Sequence, residues 1–181
     1  MRADAARNLS AVLRTGARLL AEDPSTSVAA IANAAGVDRT TVHRRFASRE
    51  ALLTAVFQAK LDSTEQVLDE ARLTEAPVPV ALHRYAEGII PVSREWPVDT
   101  ARLMQQNPDA RQRRQGQSER LNDFLQRAVD EGFLRSDVPL EWVRAVLDQL
   151  VASAAHQFPD LAPPQAADVV VDTFLNGLGR A

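Results

Sequence analysis

The sequence predicts an all-α fold, and two observations support that prediction. Apolar residues recur at helical spacing through nearly the whole chain, and no stretch alternates convincingly at the period of a strand. Proline or glycine interrupts the periodic segments at Pro24, Gly36, Gly132 and Pro139, where helices are expected to end or begin. The chain is therefore expected to be a series of helices joined by short turns.

The first two helices are separated by a proline turn. The first is expected from about 5 to 22 and ends ahead of Pro24, because a residue before proline is pushed out of the α region. Thr26 or Ser27 can cap a short second helix, which Gly36 ends.

A short third helix and a long fourth helix follow. Asp38 is a suitable N-cap for the third, which is expected to end near Phe46. Ser48 can cap the fourth, whose apolar stripe continues to about Leu68. Two short helices joined by a glycine turn are typical of a helix-turn-helix. Residues 1–50 are therefore expected to form a three-helix DNA-binding domain, with the fourth helix leading out of it to about residue 60.

Helical geometry sorts the side chains of the third helix. At about 100° per residue, Val42 and Phe46 share one face, which is expected to pack into the core. Thr40 and Arg44 point the opposite way. Arginine can donate two hydrogen bonds to a guanine edge, and threonine can contact a thymine methyl group. The third helix is therefore expected to contact bases.

Other polar residues nearby suit phosphates, which set the register on DNA without specifying sequence. His43, Arg49 and the hydroxyl of Ser27 are the candidates for this role. Arg45 lies on the flank of the helix, where it can contact DNA or pair with an acidic neighbour. The residues predicted to contact DNA are Thr26, Ser27, Arg39, Thr40, Thr41, His43, Arg44, Arg45 and Arg49.

Charge is distributed unevenly along the chain. Residues 1–60 hold nine basic and five acidic side chains, a net +4, whereas the whole chain carries −3 and the remainder therefore −7. This distribution indicates that only the N-terminal part meets a polyanion.

The same stretch resembles the N-terminal domain of the TetR family of regulators. With the first and fourth helices included, the similarity covers about residues 5–60, and the matching segments are 26–28, 31–32, 35–37, 41–42, 46 and 48–52. The family usually has an aromatic residue where His43 stands, a small residue where Thr40 stands and a lysine where Arg49 stands. These departures affect the expected operator sequence rather than the expected mode of binding.

The resemblance implies a homodimer on double-stranded operator DNA. It also implies that residues 51–181 form a helical domain for dimerisation and ligand binding, with release by a small-molecule inducer if the protein is a repressor. No cofactor is implied. An all-helical protein–protein interaction module with a basic head is the alternative function, and a small helical enzyme is a remote third.

The C-terminal part is expected to contain further helices. These helices are predicted near 80–93, 98–106, 109–132, 139–158 and 163–178, although the polar stretch 110–119 also suits a mobile loop. The last two are strongly apolar, and their stripes suit either a core or, as the resemblance implies, a dimer interface. The candidate interface residues are Leu147, Leu150, Val151, Ala154, Val170, Val171, Phe174 and Leu178.

A ligand pocket is the second hypothesis for this part. Aromatic and methionine side chains at helical spacing suit either a core or a pocket. The candidate pocket residues are Tyr85, Trp96, Met104, Phe124, Trp142 and His156.

Several classes of function are disfavoured. The absence of cysteine excludes disulfides and thiolate chemistry, and the three histidines are too scattered for a metal motif. No catalytic or nucleotide-binding motif is present, so no enzyme is expected. No apolar run is long enough for a membrane span and the N-terminus lacks a signal-peptide pattern, so a cytoplasmic protein is expected.

Overall fold

The computed structural model describes residues 2–98 and 107–179, with side chains from residue 7 onward. The helices in these ranges are α1 (Arg2–Glu22), α2 (Val28–Ala34), α3 (Arg39–Arg45), α4 (Arg49–Ala71), α5 (Val78–Glu95), α6 (Pro108–Asp130), α7 (Leu140–His156) and α8 (Pro163–Leu178). No strand occurs in the described ranges, which contain only an isolated bridge between Leu134 and Gly179. The predicted all-α fold is confirmed.

The helix expected near 109–132 is present as α6, Pro108–Asp130. The polar stretch 110–119 lies inside α6 and is helix rather than loop, because Ala110 and Gln117 are buried and give this helix an inward face. The helix expected over 98–106 falls outside the described residues except at Val98.

The chain divides into two compact units. The first, here called the head unit, comprises Met1–Asp62 and Glu95–Gln112, and the second, the body unit, comprises Ser63–Arg94 and Arg113–Ala181. The expected DNA-binding domain ended at residue 50, with the fourth helix leading out of it to about residue 60. The head unit extends to Asp62 in α4 and also includes Glu95–Gln112. Ala110 belongs to it because it packs in one buried cluster with Phe57 and Leu61.

The core of the head unit is formed by one face of each short helix. Ile31 of α2 and Val42 of α3 are almost wholly buried, as is Val56 of α4. Gly16 of α1 faces Val56 and Ile31 at distances of 3.5 and 3.6 Å from the position that a Cβ would take. Ordinary van der Waals packing therefore holds α1 to this core.

Arginine side chains bind helix ends within the body unit. Arg94 donates to the carbonyl oxygens of Ala154 and Leu161 at 3.0 Å, and of Phe158 at 3.2 Å. The last carbonyls of a helix have no partner within it, so these bonds satisfy the end of α7 and the turn that follows.

The loop after α4 is held in the same way. Arg127 donates to the carbonyls of Thr74 and Ala76 at 3.2 and 2.8 Å, and its guanidinium lies 5.5 Å from the ring centre of Phe124. α7 and α8 pack on each other and complete the unit.

Candidate nucleic-acid interface

Two capped helices and one glycine turn build the helix-turn-helix. The Ser27 hydroxyl oxygen accepts from the backbone N–H of Ala30 at 3.1 Å, and an Asp38 carboxylate oxygen accepts from that of Thr40 at 2.8 Å. Between them Gly36 adopts a φ of +66°, a conformation that residues with a Cβ rarely adopt. The predicted caps and turn are confirmed.

The inward face of α3 is the one that the helical spacing predicted. Val42 is 2% exposed and Phe46 is 7% exposed. α3 packs against α2, whose Ile31 and Ala32 are buried. The same geometry turns the polar side chains of α3 away from the core.

The outward face of α3 is basic and polar. Its exposed residues are Arg39, Thr40, His43, Arg44 and Arg45. Arg44 and Arg45 form no hydrogen bond or ion pair with any residue that the structure describes, so the acidic neighbour considered for Arg45 is not found there. Two guanidinium groups on this face thus keep all their donors exposed.

Thr40 is engaged within its own helix end. Its hydroxyl donates to a carboxylate oxygen of Asp38, which also accepts the Thr40 backbone N–H. These two hydrogen bonds, led by that from the hydroxyl, hold the pKa of Asp38 below its usual value. The Thr40 proton is therefore committed to Asp38, while its methyl group and a free lone pair can still meet a base. Thr41 is half-buried beside it.

Arg39 and His43 form a pair one turn apart. The Nε–H of Arg39 donates to Nε2 of His43 at 3.2 Å, and both side chains are exposed. The histidine that was expected to anchor a phosphate thus binds an arginine of its own helix.

The remaining predicted residues lie before α2 and at the start of α4. Arg49 donates through Nη2 to the carbonyl oxygen of Pro24, and the Thr26 hydroxyl donates to that of Asp23 at 2.8 Å. Both therefore fix the turn between α1 and α2. The Ser27 hydroxyl accepts a hydrogen bond but donates none to the described residues, so its proton can reach a phosphate.

Sequence reasoning missed three internal contacts of this surface. Arg39 with His43 and Asp38 with Thr40 are spaced four and two residues apart, and local spacing could have indicated them. The contact of Arg49 with Pro24 joins residues 25 positions apart and had no local signal.

The candidate pocket residues are dispersed. Tyr85 and Phe124 are buried in the body unit, while Trp96 is buried in the head unit. Burial, and then the nearby charge of Asp148, raise the pKa of Tyr85. Of the other three, two are exposed rather than enclosed, and one is not described by the structure. Trp142 is 62% exposed, His156 is also exposed, and Met104 lies outside the described residues.

The candidate interface residues are mostly interior. Leu150 and Val171 are half-buried, whereas the other six are buried within one chain, and these are Leu147, Val151, Ala154, Val170, Phe174 and Leu178. Most of this apolar stripe therefore joins α7 to α8 in the core. A larger apolar side chain that is exposed on α8 is Val169, at 57%.

Other kinds of site receive no support from the described part of the chain. Within it, no three histidine, cysteine or acidic side chains are grouped as metal ligands would be. None of its helices has the length and apolar character needed to span a membrane.

Comparison with known proteins points to one family. Residues 12–56 match the family model of bacterial regulatory proteins, tetR family. The HTH-type transcriptional repressor LfrR of Mycolicibacterium smegmatis is 28% identical over 176 residues, which cover 95% of this chain and 90% of the relative.

Solved structures show the same relationship. The TetR-like regulator LfrR from Mycobacterium smegmatis, in complex with proflavine, superimposes with a TM-score of 0.72 at 25% identity, covering 97% of this chain and 98% of that one. The ketosteroid regulator KstR2 of Mycobacterium tuberculosis shares the fold, with a TM-score of 0.77 at 21% identity and 94% of each chain covered.

The capped helix-turn-helix with its exposed basic face defines a DNA-binding protein. The family match over that same segment makes the assignment specific. The chain is a DNA-binding transcriptional regulator, and its helix-turn-helix segment is similar to that of the tetR family, as its sequence indicated.

Proposed function

We propose that this regulator represses transcription as a homodimer that places α3 of each copy in the major groove of an operator. The observation that carries the proposal is the outward face of α3, where Arg44 and Arg45 have no partner among the described residues. Because operator DNA lies in the cytoplasm of a bacterial cell, that is where the protein acts. The relative LfrR is a repressor, which supports the direction of control.

The residues of the surface divide into three roles. Arg44 and the methyl group of Thr40 contact base edges, while Arg45 and the Ser27 hydroxyl contact phosphates. Thr26, Thr41 and Arg49 do not contact DNA in this arrangement; they hold the turn and the helices in place. This division differs from the initial expectation for Arg49, because its guanidinium is already bound to the Pro24 carbonyl.

The dimer contact lies on α7 and α8. Leu150 and Val171 are half-buried and Val169 is exposed, so these side chains can meet a second copy. The buried residues of both helices support the contact from beneath. Two helices from each copy would then form a four-helix interface with two-fold symmetry.

A small molecule bound in the body unit would release the DNA. Tyr85 and Phe124 are the buried aromatic side chains that support such a site. The body unit has ten basic and fifteen acidic side chains, a net −5, which favours a cation. LfrR was solved with proflavine, which is therefore the first compound to test. A ligand can release DNA only if it prefers the conformation that does not bind the operator.

Selection from a pool of random duplexes tests DNA binding. The full chain should enrich a sequence with two-fold symmetry, and its affinity for that duplex should fall steeply as salt rises, because bound phosphates release counterions. Replacing Arg44 and Arg45 together by alanine should abolish enrichment. Arg84→Ala is the matched control, since Arg84 is an exposed arginine of the body unit. Failure of the unmodified chain to enrich any sequence would refute the proposal.

Light scattering tests the dimer. Val169→Glu should convert a dimer into monomers, because it places a charge in an apolar contact. Val80→Glu is the control, since Val80 is also an exposed valine, 43% accessible, but lies on α5. Equal behaviour of the two variants would contradict the placement on α7 and α8.

A further inference from the structure

The contact between Arg39 and His43 dictates a protonation state. Arginine is protonated at all ordinary pH values and its Nε can only donate. Nε2 of His43, 3.2 Å away, must therefore be the acceptor. An imidazole that accepts at Nε2 carries its proton on Nδ1 and is neutral. The pair can exist only while His43 is uncharged.

The pair also fixes how Arg39 can meet DNA. With Nε bound to His43, the guanidinium has its two terminal nitrogens left, which form an edge suited to the O6 and N7 atoms of guanine. Holding the side chain in one place reduces the entropy lost when it binds. The hydrogen bond to His43 therefore uses none of the donors on this edge, and it restricts the motion of the Arg39 side chain.

We propose that His43 is a positioning residue for Arg39, and that this pair determines part of the base preference of α3. The inference rests on the proposed contact of α3 with operator bases. It replaces the expected role of His43 as a phosphate anchor.

Protonation of His43 would break the hydrogen bond between Arg39 and His43. The imidazolium ion has two donors and no acceptor, and it would repel the guanidinium at close range. Imidazole groups change charge between about pH 5 and pH 8. Two separate cations would then bind phosphates of any sequence, so base discrimination should fall and dependence on salt should rise by about one phosphate contact.

The other charged groups near this pair are placed by the sequence of α3 and of its neighbours. α2, which packs against α3, has no ionisable side chain in its sequence. The nearby charged groups are those of α3 and of the first residues on either side, and these are Asp38, Arg44, Arg45, Arg49 and Glu50. Asp38 accepts from Thr40 and Arg49 donates to the Pro24 carbonyl, whereas the hydrogen bond of His43 among the described residues is the one with Arg39.

The test compares two DNA probes at two pH values. The first probe is the duplex that the unmodified full chain enriches most at about pH 8, and the second is a scrambled duplex of equal composition. From about pH 8 to about pH 5.5, the ratio of their affinities should fall about tenfold, which is the discrimination lost with one arginine–base contact. Arg39→Ala should show the low ratio at both pH values.

A glutamine in place of His43 provides the decisive variant. Its side-chain oxygen can accept from Arg39, but it does not titrate, so His43→Gln should keep the high ratio at both pH values. His83 and His156 remain in this variant and control for other titrations. Both members of the pair are exposed, and circular dichroism at each pH checks that every variant is folded.

Two results would overturn the inference while leaving DNA binding intact. One is a His43→Gln variant that follows the pH profile of the unmodified chain. The other is a His43→Ala variant that loses affinity equally for both probes and keeps that profile, as a phosphate anchor would. If the unmodified chain enriches no duplex at about pH 8, the proposed function fails and this inference fails with it.

Discussion

Arginine serves opposite purposes in the head and body units. In the body unit Arg94, Arg127 and Arg144 each donate to backbone carbonyl oxygens, so their side chains bind one segment of the chain to another. On the outward face of α3, Arg44 and Arg45 bind no residue that the structure describes. The number of arginines is thus a poor guide to a nucleic-acid surface, and their lack of internal partners is a better one.

The largest expected effect is on the stability of the body unit. Arg94→Ala removes three hydrogen bonds and leaves the carbonyls of Ala154, Phe158 and Leu161 without that donor. Because bonds to a charged donor contribute more than neutral ones, the free energy of unfolding should fall by about 2–4 kcal/mol. Denaturant unfolding measures this loss. A change below about 0.5 kcal/mol would show that water replaces the guanidinium at little cost.

A pair of glycines compares the packing of the two units. A Cβ at Gly88 in the body unit would lie 2.9 Å from Cγ1 of Val67, whereas a Cβ at Gly16 in the head unit would make ordinary contacts. Gly88→Ala should therefore destabilise the protein by about 1–3 kcal/mol. Gly16→Ala should stabilise it by about 0.5–1 kcal/mol, because alanine favours a helix interior. Thermal unfolding of both variants gives the signs, and equal signs would contradict the difference in packing.

A single arginine of α3 should affect DNA binding and leave stability unchanged. Arg44→Ala should relax the base preference at one position of each half-site and cost about 1–3 kcal/mol of discrimination. Selection followed by sequencing measures the preference, and thermal unfolding should give an unchanged midpoint. A large loss of stability would place Arg44 with the arginines of the body unit.

The smallest expected effect is on the stability of the protein at acidic pH. The pKa of Asp38 is lowered in the folded state, so its contribution to stability is fully present above its unfolded value of 3.8 and is lost as pH falls through the lower, folded value. Asp38→Asn keeps a capping oxygen but does not titrate. The unmodified chain should therefore lose more stability than this variant between about pH 5 and about pH 2. Parallel pH profiles of the two melting temperatures would contradict the shift.

Much of the fold was predictable because its signals are local. Ser27, Gly36 and Asp38 each act within three residues of their own position, so the sequence indicates where α2 and α3 begin and end. The inward placement of Val42 and Phe46 follows from helical spacing alone. The polar stretch 110–119 was ambiguous because its helix depends on burying Ala110 and Gln117 against distant residues.

The candidate site was predictable in position and less so in role. Thr40, His43 and Arg44 are exposed as expected, but Thr40 and His43 have internal partners that change what they can offer to DNA. For the candidate pocket residues, the difference between prediction and structure is larger. Aromatic spacing gave Trp142 and Tyr85 equal standing, and only packing distinguishes the exposed side chain from the buried one.

The amino-acid sequence by itself determined the helical fold, the helix-turn-helix and the polar face of α3, because caps, turns and periodicity act between near neighbours. The tertiary structure alone decided which arginines are occupied. A guanidinium has the same charge and reach wherever it stands, and whether it binds DNA or its own chain depends on which carbonyl oxygens folding brings within hydrogen-bond distance. Arg49, held by Pro24 from 25 residues away, belongs to the fold, while Arg44 binds no residue that the structure describes.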